Sequence, residues 1–257
     1  MEQADQRPII QVSHLTAGYN GMVLLDDLSF DVYSAEVFGI LGSSGSGKST
    51  LLKQMIGLQR PVRGSILIEG EDITTAEGEA RRELLTKIGV MYQQGALFGS
   101  MNLLENVRLP LEEYTDLPDD ATETIARMKL QLVGLGSAGY KLPDEISGGM
   151  RKRAAIARAM ALDPRILFLD EPSAGLDPIT SAELDQLIIS LARNLKITFV
   201  VVTHELPSID AIADRVIMLC EHTKKIIAQG QPKALRDHSE NPFVRQFFNR
   251  QADAAVS

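Results

Sequence analysis

The side chains best suited to chemistry lie in residues 37–56. This segment reads VFGILGSSGSGKSTLLKQMI, an apolar run typical of a strand, a turn rich in glycine and serine, and a run with the apolar spacing of a helix. Gly42 and Gly47 enclose four residues, and Lys48 and Ser49 follow at once. This is the phosphate-binding loop pattern, between the strand and the helix that it requires. The segment therefore predicts binding of a polyphosphate.

Each residue type in this loop has a role in holding phosphate. Glycine tolerates positive φ, so the backbone can curl until successive N–H groups point at an anion, and the following helix adds its positive dipole end. We predict that Lys48 contacts the β and γ phosphates of ATP and that the Ser49 hydroxyl binds Mg²⁺. The predicted nucleotide-binding loop consists of Gly42, Ser43, Ser44, Gly45, Ser46, Gly47, Lys48, Ser49 and Thr50.

Acidic and imidazole groups follow two later strand-type runs. Asp170 and Glu171 close the apolar run from Arg165 to Leu169. Such a pair is usually a turn, but after a phosphate loop Asp170 can hold Mg²⁺ through its water shell and Glu171 can deprotonate the attacking water. His204 follows the next buried-type run, where it can donate to a γ-phosphate oxygen and sense its loss. We predict ATP hydrolysis with Glu171, His204 and Lys48 as the catalytic residues.

Three weaker signals have more than one interpretation. Tyr19 precedes the phosphate loop, where its ring could stack on a purine base or pack on a sheet. Gln93 follows the apolar run from Ile88 to Tyr92, at a strand end of the kind where α/β sheets bind ligands, although a solvated loop is the default. Ser147 is a natural helix N-cap, and a second anion site there depends on the other motifs.

Composition and charge narrow the classes of function. The 257 residues are 44% hydrophobic and 23% charged, which is ordinary for a globular chain with a sizeable core. The net charge of −8 argues against broad nucleic-acid binding. No apolar run approaches the roughly 20 residues that span a bilayer, and the start MEQADQRPII lacks the core of a secretory signal. We expect a cytoplasmic location.

The strand-type runs predict an α/β fold. The runs from Ile9 to Val12, from Leu24 to Val32 and from Ser65 to Glu69 are short, and turn-forming residues separate them. They indicate a small antiparallel sheet, with a turn expected over residues 16–20. The more apolar runs, which alternate with helical segments, indicate a mainly parallel core sheet beside it.

Residues 94–161 differ from the rest because helical spacing replaces strand-type runs. The pattern is clearest in residues 121–133, where Ile125, Met128, Leu132 and Val133 recur at a spacing of about 3.6 residues. We interpret this segment as an inserted helical subdomain. The predicted organisation is a single domain over residues 1–257, with a nucleotide-binding core of residues 1–93 and 162–257 and a helical subdomain of residues 94–161.

Five motifs stand in a fixed order along the chain. They are the phosphate loop, Gln93, ISGGM at residues 146–150, ILFLDE at residues 166–171, and His204. This order resembles the nucleotide-binding subunit of an ABC transporter over nearly the whole chain. The family signature usually reads LSGGQ, and here only its two outer residues differ.

The resemblance implies roles and a mechanism. It makes Tyr19 the aromatic residue that stacks on the base, and Gln93 the Q-loop residue that contacts Mg²⁺ and couples to the transporter. The signature that faces phosphate would be Ser147, Gly148 and Gly149. Asp177 would be the D-loop residue and His204 the switch histidine. The signature of one copy would close over the nucleotide in the phosphate loop of a second copy. ATP would join the two copies, and hydrolysis would let them separate.

A narrower resemblance concerns the cargo. Met150, the basic run of residues 151–153 and the stretch QQGALFGSMNLLENV are similar to the Mla-type (MlaF-like) phospholipid transport ATPases. The implied partners are a second copy of the chain, an integral membrane permease contacted through Gln93 and residues 98–107, and further lipid-transport subunits, with no nucleic acid. The implied location is the cytoplasmic face of the inner membrane.

Two alternatives stay open. One is the ATPase subunit of an importer for another cargo, such as amino acids or metal ions, because this subunit does not touch the cargo. The other is a soluble ABC-type ATPase that acts on nucleic acid. Proteins of that kind commonly carry paired cassettes, a long coiled-coil insert or a metal-binding cysteine cluster, and this sequence has none of these features and a single cysteine.

Overall fold

The computed structural model describes residues 7–19 and 21–249. The first six residues, which entered the argument about a secretory signal, and Asn20 of the expected turn lie outside the described residues. The chain divides into two compact units. The first unit comprises Met1–Thr75 and Val201–Ser257, and the second comprises Ala76–Val200.

Strands and helices alternate along most of the chain. The strands are β1 (Ile10–Tyr19), β2 (Met22–Val32), β3 (Val37–Gly42), β4 (Arg63–Ile68), β5 (Glu71–Asp72), β6 (Ile88–Met91), β7 (Ile166–Asp170), β8 (Thr198–Val202), β9 (Arg215–Leu219) and β10 (Ile226–Gly230). The helices are α1 (Lys48–Met55), α2 (Gly78–Thr86), α3 (Leu103–Tyr114), α4 (Asp119–Leu132), α5 (Gly148–Ala159), α6 (Pro178–Leu195), α7 (Leu206–Ile212), α8 (Pro232–His238) and α9 (Pro242–Phe248).

The first unit contains the predicted antiparallel sheet, with the strand order β2-β1-β4-β5. Ile10 of β1 pairs with Val32 on one side and with Ile68 on the other, and all three side chains are buried. The same unit contains β3, which pairs in parallel with β9, while β10 pairs antiparallel with β9. All six residues of β3 are buried, as expected for a strand of a parallel sheet that is covered on both faces.

The second unit is mainly helical. Its strands β6 and β7 pair in parallel, with Met91 opposite Leu169, and α3, α4 and α5 lie between them in the chain. The division between the units falls within β8. Within the described ranges, no helix has both the length and the apolar character that crossing a membrane requires. The parallel pairs and the antiparallel sheet confirm the predicted α/β fold, while the limits of the helical subdomain, residues 94–161, stay a prediction.

The expected turn over residues 16–20 is wrong for residues 16–19, because β1 continues to Tyr19. Ala17 pairs with Leu25, and Tyr19 pairs with Met22. The register of β1 against β2 shifts at three places after Val12. Such irregularities let a strand take up an extra residue without ending, so the turn-type composition did not mark a turn here.

The face of α4 also differs from the sequence pattern. Met128 and Leu132 are 60% and 43% exposed, respectively, whereas Lys129 is only 7% exposed. The reason is that the Lys129 ammonium forms an ion pair with Asp163, so that its aliphatic stem can be buried beside its apolar neighbour Leu130. Spacing alone could not reveal an ion pair to a residue 34 positions away.

Candidate nucleotide-binding and catalytic site

The phosphate loop has the backbone conformation that its sequence predicts. It follows β3 directly and leads into α1, and the φ angles of Gly42, Gly45 and Gly47 are 153°, 83° and 93°. A Cβ on Gly42 would lie 2.4 Å from Ser46 Oγ and 2.7 Å from the Leu219 carbonyl oxygen, so a side chain has no room there. Gly47 is the N-cap of α1 and supplies no side-chain cap. The first N–H groups of α1 can therefore serve an anion.

Two polar side chains of the loop bear on whether it fits a polyphosphate. Lys48 Nζ donates to the carbonyl oxygens of Gly42 and Ser43, at 2.8 Å each, which holds the ammonium over the loop. Ser46 Oγ is buried and has no hydrogen-bond partner among the residues that the structure describes. The loop thus offers several hydrogen-bond donors, namely an ammonium, the first N–H groups of a helix without a side-chain cap, and an unsatisfied hydroxyl. Such donors suit a polyphosphate, so the loop fits this group.

Tyr19 and His204 belong to the same unit as the phosphate loop. Tyr19 lies at the end of β1 and is 43% exposed, and its hydroxyl donates to Gln59 Oε1. His204 follows Thr203, whose backbone N–H donates to the Ile40 carbonyl of β3 at 3.3 Å. The residue before His204 is therefore anchored to the strand that leads into the phosphate loop.

The acid pair ends β7 in the second unit. Residues 166–169 of β7 are buried, while its last residue, Asp170, and the following residue, Glu171, are partly buried. Glu171 has φ 47°, which lies in the left-handed region. A non-glycine residue there costs about 1–2 kcal/mol and persists only where its surroundings hold it. Contacts to the Glu171 backbone are therefore important to where its carboxylate points.

The signature and the D-loop each begin a helix. Ser147 Oγ accepts from the Met150 N–H at 3.2 Å and caps α5, as predicted. Asp177 caps α6, with its Oδ1 accepting from the N–H groups of Ile179 and Thr180 at 3.0 and 3.1 Å. Hydrogen bonds from Thr180 also hold the pKa of the Asp177 carboxyl below its ordinary value.

The structure brings the signature and the D-loop of one chain together. A Cβ on Gly149 would lie 2.4 Å from Thr180 Cγ2, and one on Gly148 would lie 3.5 Å from Leu176 Cδ2. The Thr180 side chain is not free to turn away, because its hydroxyl donates to Asp177 Oδ2 at 2.5 Å. Gly149 is therefore required for the close approach of α5 to the start of α6.

This contact predicts a stability effect. Gly149→Ala should lower the free energy of unfolding by about 1–3 kcal/mol, because the added methyl overlaps a methyl that cannot move. Gly148→Ala is the matched control, since its Cβ would make an ordinary contact, and it should be near neutral. The second change Thr180→Ser, which removes Cγ2 and keeps the hydroxyl, should recover most of the loss. Denaturant titration measures all four proteins, and equal stability of both alanine variants would contradict the prediction.

Sequence reasoning missed Lys152, which is 7% exposed on α5. Its Nζ donates to the backbone carbonyl oxygen of Gln93 and, at 3.1 Å, to that of Glu171. Burial lowers its pKa, while the charges of Glu171 and Asp170 oppose that shift. The signal that could have found it is periodicity, because Lys152 shares a helix face with the buried residues Ala155 and Ile156.

The predicted site residues are thus divided between the two units. The first unit carries the base-stacking and phosphate-binding candidates and the switch histidine, namely Tyr19, residues 42–50 and His204. The second carries Gln93, residues 147–149, Asp170, Glu171 and Asp177. The predicted Mg²⁺ ligands Ser49, Gln93 and Asp170 offer hydroxyl, amide and carboxylate oxygens, the donors that Mg²⁺ prefers.

Comparison with known proteins gives consistent relatives. The ABC transporter family model matches residues 25–174. The probable ribonucleotide transport ATP-binding protein mkl of Mycobacterium leprae is 44% identical over 240 residues, 93% of this chain and 68% of the relative. The intermembrane phospholipid transport system ATP-binding protein MlaF of Escherichia coli K12 is 41% identical over 233 residues, 91% of this chain and 86% of the relative. The chain thus spans about two thirds of the mycobacterial relatives.

Solved structures agree with the sequence relatives. CbiO1 from Clostridium perfringens, part of the transporter complex cbiONQ, has a TM-score of 0.83 at 30% identity and covers 91% of this chain and 92% of its own. The dimeric ATP-binding cassette MJ0796 in a post-hydrolysis state with ADP and Pi has a TM-score of 0.78 at 28% identity. The match covers 86% of this chain and 98% of the MJ0796 chain.

A phosphate loop between β3 and α1, in a chain whose β7 ends in an acid pair, defines the class as an α/β phosphate-loop ATPase. The family model and the relatives make the assignment specific: the chain belongs to the ABC transporter family. It is an ATP-binding subunit with ATPase activity, so the resemblance inferred from the order of the motifs is confirmed. The roles of individual site residues stay predictions.

Proposed function

We propose that this chain is the ATPase subunit of an ABC transporter that moves phospholipid. The cargo is inferred from the match to proteins named MlaF, which are 38–41% identical to this chain over 86–93% of their length. The relatives named for ribonucleotide transport are 43–44% identical but are matched over only 66–68% of their length. The alternative cargo classes, among them amino acids, are outcomes of the test below.

Hydrolysis of ATP is assigned to named groups. Glu171 takes a proton from the attacking water while the water oxygen forms a bond to the γ-phosphorus. The bond between the γ-phosphorus and the β–γ bridging oxygen breaks, which releases ADP and phosphate. Lys48 and the loop amides stabilise the charge on the β and γ phosphates, and His204 donates to a γ-phosphate oxygen. Ser49, Gln93 and Asp170 would hold Mg²⁺, which neutralises phosphate charge when bound.

The working form is proposed to be a homodimer with two ATP molecules. Each chain has one copy of every motif, and the start of α5, with its capping Ser147 and the small Gly148 and Gly149, offers N–H groups to an anion. In the proposed dimer these groups face the nucleotide that is held by the phosphate loop of the other copy, and Asp177 lies beside them. The related cassette MJ0796 was solved as a dimer, which supports the same arrangement here.

The remaining partners are proposed to be an integral membrane permease and further lipid-transport subunits on the cytoplasmic side of the inner membrane, without nucleic acid. A half-exposed Phe98 after Gln93 is a suitable contact for the permease. The buried Asn106 keeps this segment in shape, because its side chain bonds the backbone of Phe98, Met101 and Asn102. Residues 98–107 would therefore carry motion from the nucleotide site to the permease.

Copurification tests the transport role. The tagged chain is isolated from detergent-solubilised membranes of its native host, with Phe98→Ser in parallel. We expect a permease in stoichiometric amount with the unaltered chain and at least about a tenfold loss of it with the variant, because a central aromatic anchor dominates an interface. Normal ATPase activity without any permease would contradict the transport role.

The cargo is tested with the purified complex in vesicles. ATP-dependent movement of a labelled phospholipid between membranes is expected, with the complex carrying Glu171→Gln as the inactive control. A complex that moves or binds labelled amino acids but leaves phospholipid in place would assign the other cargo class. Tight, salt-dependent binding of nucleic acid by the chain alone would instead support the soluble alternative.

A further inference from the structure

We propose that Lys152 is a positioning residue for ATP hydrolysis, which holds the backbone of Glu171 in the conformation that aims its carboxylate and joins it to the Gln93 loop. This inference rests on the catalytic role proposed for Glu171. Lys152 lies on α5 in the same unit as both loops, so every contact in the argument is within one compact body.

The geometry places one ammonium between two loops. β6 and β7 are paired in parallel, and the Gln93 loop and Glu171 follow at their carboxyl ends. Lys152 Nζ donates to the carbonyl oxygen of each of these two residues. A single side chain therefore links the backbone of Gln93 to the backbone of Glu171.

The contact to Glu171 falls at a residue whose backbone conformation is unfavourable by itself. Glu171 has φ 47°, and its carbonyl oxygen accepts from Lys152 Nζ at 3.1 Å and from the Ala174 N–H at 3.3 Å. The Lys152 bond is the charged and shorter of the two, and hydrogen bonds to a charged donor are the stronger class. Losing it would let the peptide after Glu171 rotate, and the direction of the Glu171 side chain would change with it.

A positive charge at this place suits its surroundings. The carboxylates of Asp170 and Glu171 interact electrostatically with the buried ammonium and offset part of the cost of burying it. A second cation of the same helix, Arg158, donates to the carbonyl oxygens of Gly95 and Ala96. α5 therefore holds the Q-loop at two places but bonds Glu171 through Lys152, which makes Lys152 the contact to test.

The test compares Lys152→Met with Lys152→Arg and with the control Lys129→Met. Lys129 is also 7% exposed, lies in the same unit and pairs its ammonium with Asp163. We expect Lys152→Met to lower kcat about 10- to 100-fold with KM for ATP changed less than about threefold, because a misaimed base slows the chemical step and not binding. Lys152→Arg should recover most of kcat, and Lys129→Met should lower the Tm without this loss of kcat.

Two readouts separate positioning from folding. Lys152→Met should still bind ATP with Mg²⁺ as the unaltered chain does, measured by calorimetry, because the phosphate loop is unchanged. When Lys152→Met is added to Glu171→Gln, the residual kcat should fall less than about twofold. The reason is that Lys152→Met acts through the Glu171 carboxylate, which the first change has already removed. A multiplicative loss in the double variant would overturn the proposal.

The remaining outcomes are also decisive. Normal kcat in Lys152→Met together with an inactive Glu171→Gln would overturn the positioning role and leave the proposed function intact. Normal kcat in Glu171→Gln would remove the proposed role of Glu171 itself. If Lys152→Met and Lys152→Gln both fail to fold while Lys152→Arg is active, Lys152 is structural and the proposal is overturned.

Discussion

Glu171→Gln should lower kcat for ATP hydrolysis by about 10²- to 10⁴-fold while ATP still binds, which is the range that loss of a positioned general base produces. The amide keeps the size of the side chain and its place after β7, but it cannot accept the proton of the attacking water. The phosphate loop lies in the other compact unit and keeps its own contacts. An assay of phosphate release measures kcat, and calorimetry measures the dissociation constant for ATP.

The control for this variant is Glu123→Gln on α4, where the carboxylate forms a surface ion pair with Arg127. Exposed pairs of this kind contribute about 0–1 kcal/mol, so its kcat should stay within twofold of the unaltered chain. A Glu171→Gln variant that turns over at the normal rate would contradict the assignment of Glu171. Parallel loss of kcat and ATP affinity would also contradict it, because the general base acts only in the chemical step.

Lys48→Ala should weaken ATP binding about 10- to 100-fold, since a hydrogen bond to a charged group contributes about 1.5–3 kcal/mol. The ammonium already lies over the loop, where Nζ donates to the carbonyl oxygens of Gly42 and Ser43. The loss should be larger for ATP than for ADP, because one of the two phosphates that Lys48 contacts is missing in ADP.

Lys53→Ala is the matched control for this prediction. Lys53 lies in the last turn of the same helix and is exposed, so it tests the loss of one charge and one lysine side chain from α1. Its effect on ATP affinity should be small, because exposed charges several residues from the loop are screened by salt. Equal affinities of Lys48→Ala and the unaltered chain would remove Lys48 from the site.

Local chemistry explains which features the sequence predicted well. The phosphate loop needs glycines at fixed positions, a lysine and a helix start, and all of these are set by neighbouring residues. The cap Ser147 is similar, because its hydroxyl accepts from the backbone N–H of Met150, only three residues further along the chain. Such features can be predicted from a short stretch of chain.

Features that depend on distant contacts were missed. Lys152 donates to the carbonyl oxygen of Gln93, 59 positions away. Helical spacing can indicate that Lys152 is buried, but it does not show which carbonyl oxygens its ammonium meets. The burial of Lys129 depends in the same way on Asp163. The close approach of Gly149 to Thr180 needs two helices to cross, and a GG pair in sequence does not show which partner it meets.

The central claim is that each bound ATP lies between two copies of this chain, which contribute different halves of its pocket. Sedimentation of Glu171→Gln with and without saturating ATP and Mg²⁺ tests it most directly. We predict a species of twice the monomer mass with ATP and the monomer with ADP or without nucleotide. A chain that binds ATP in this variant and still sediments as a monomer would contradict the account.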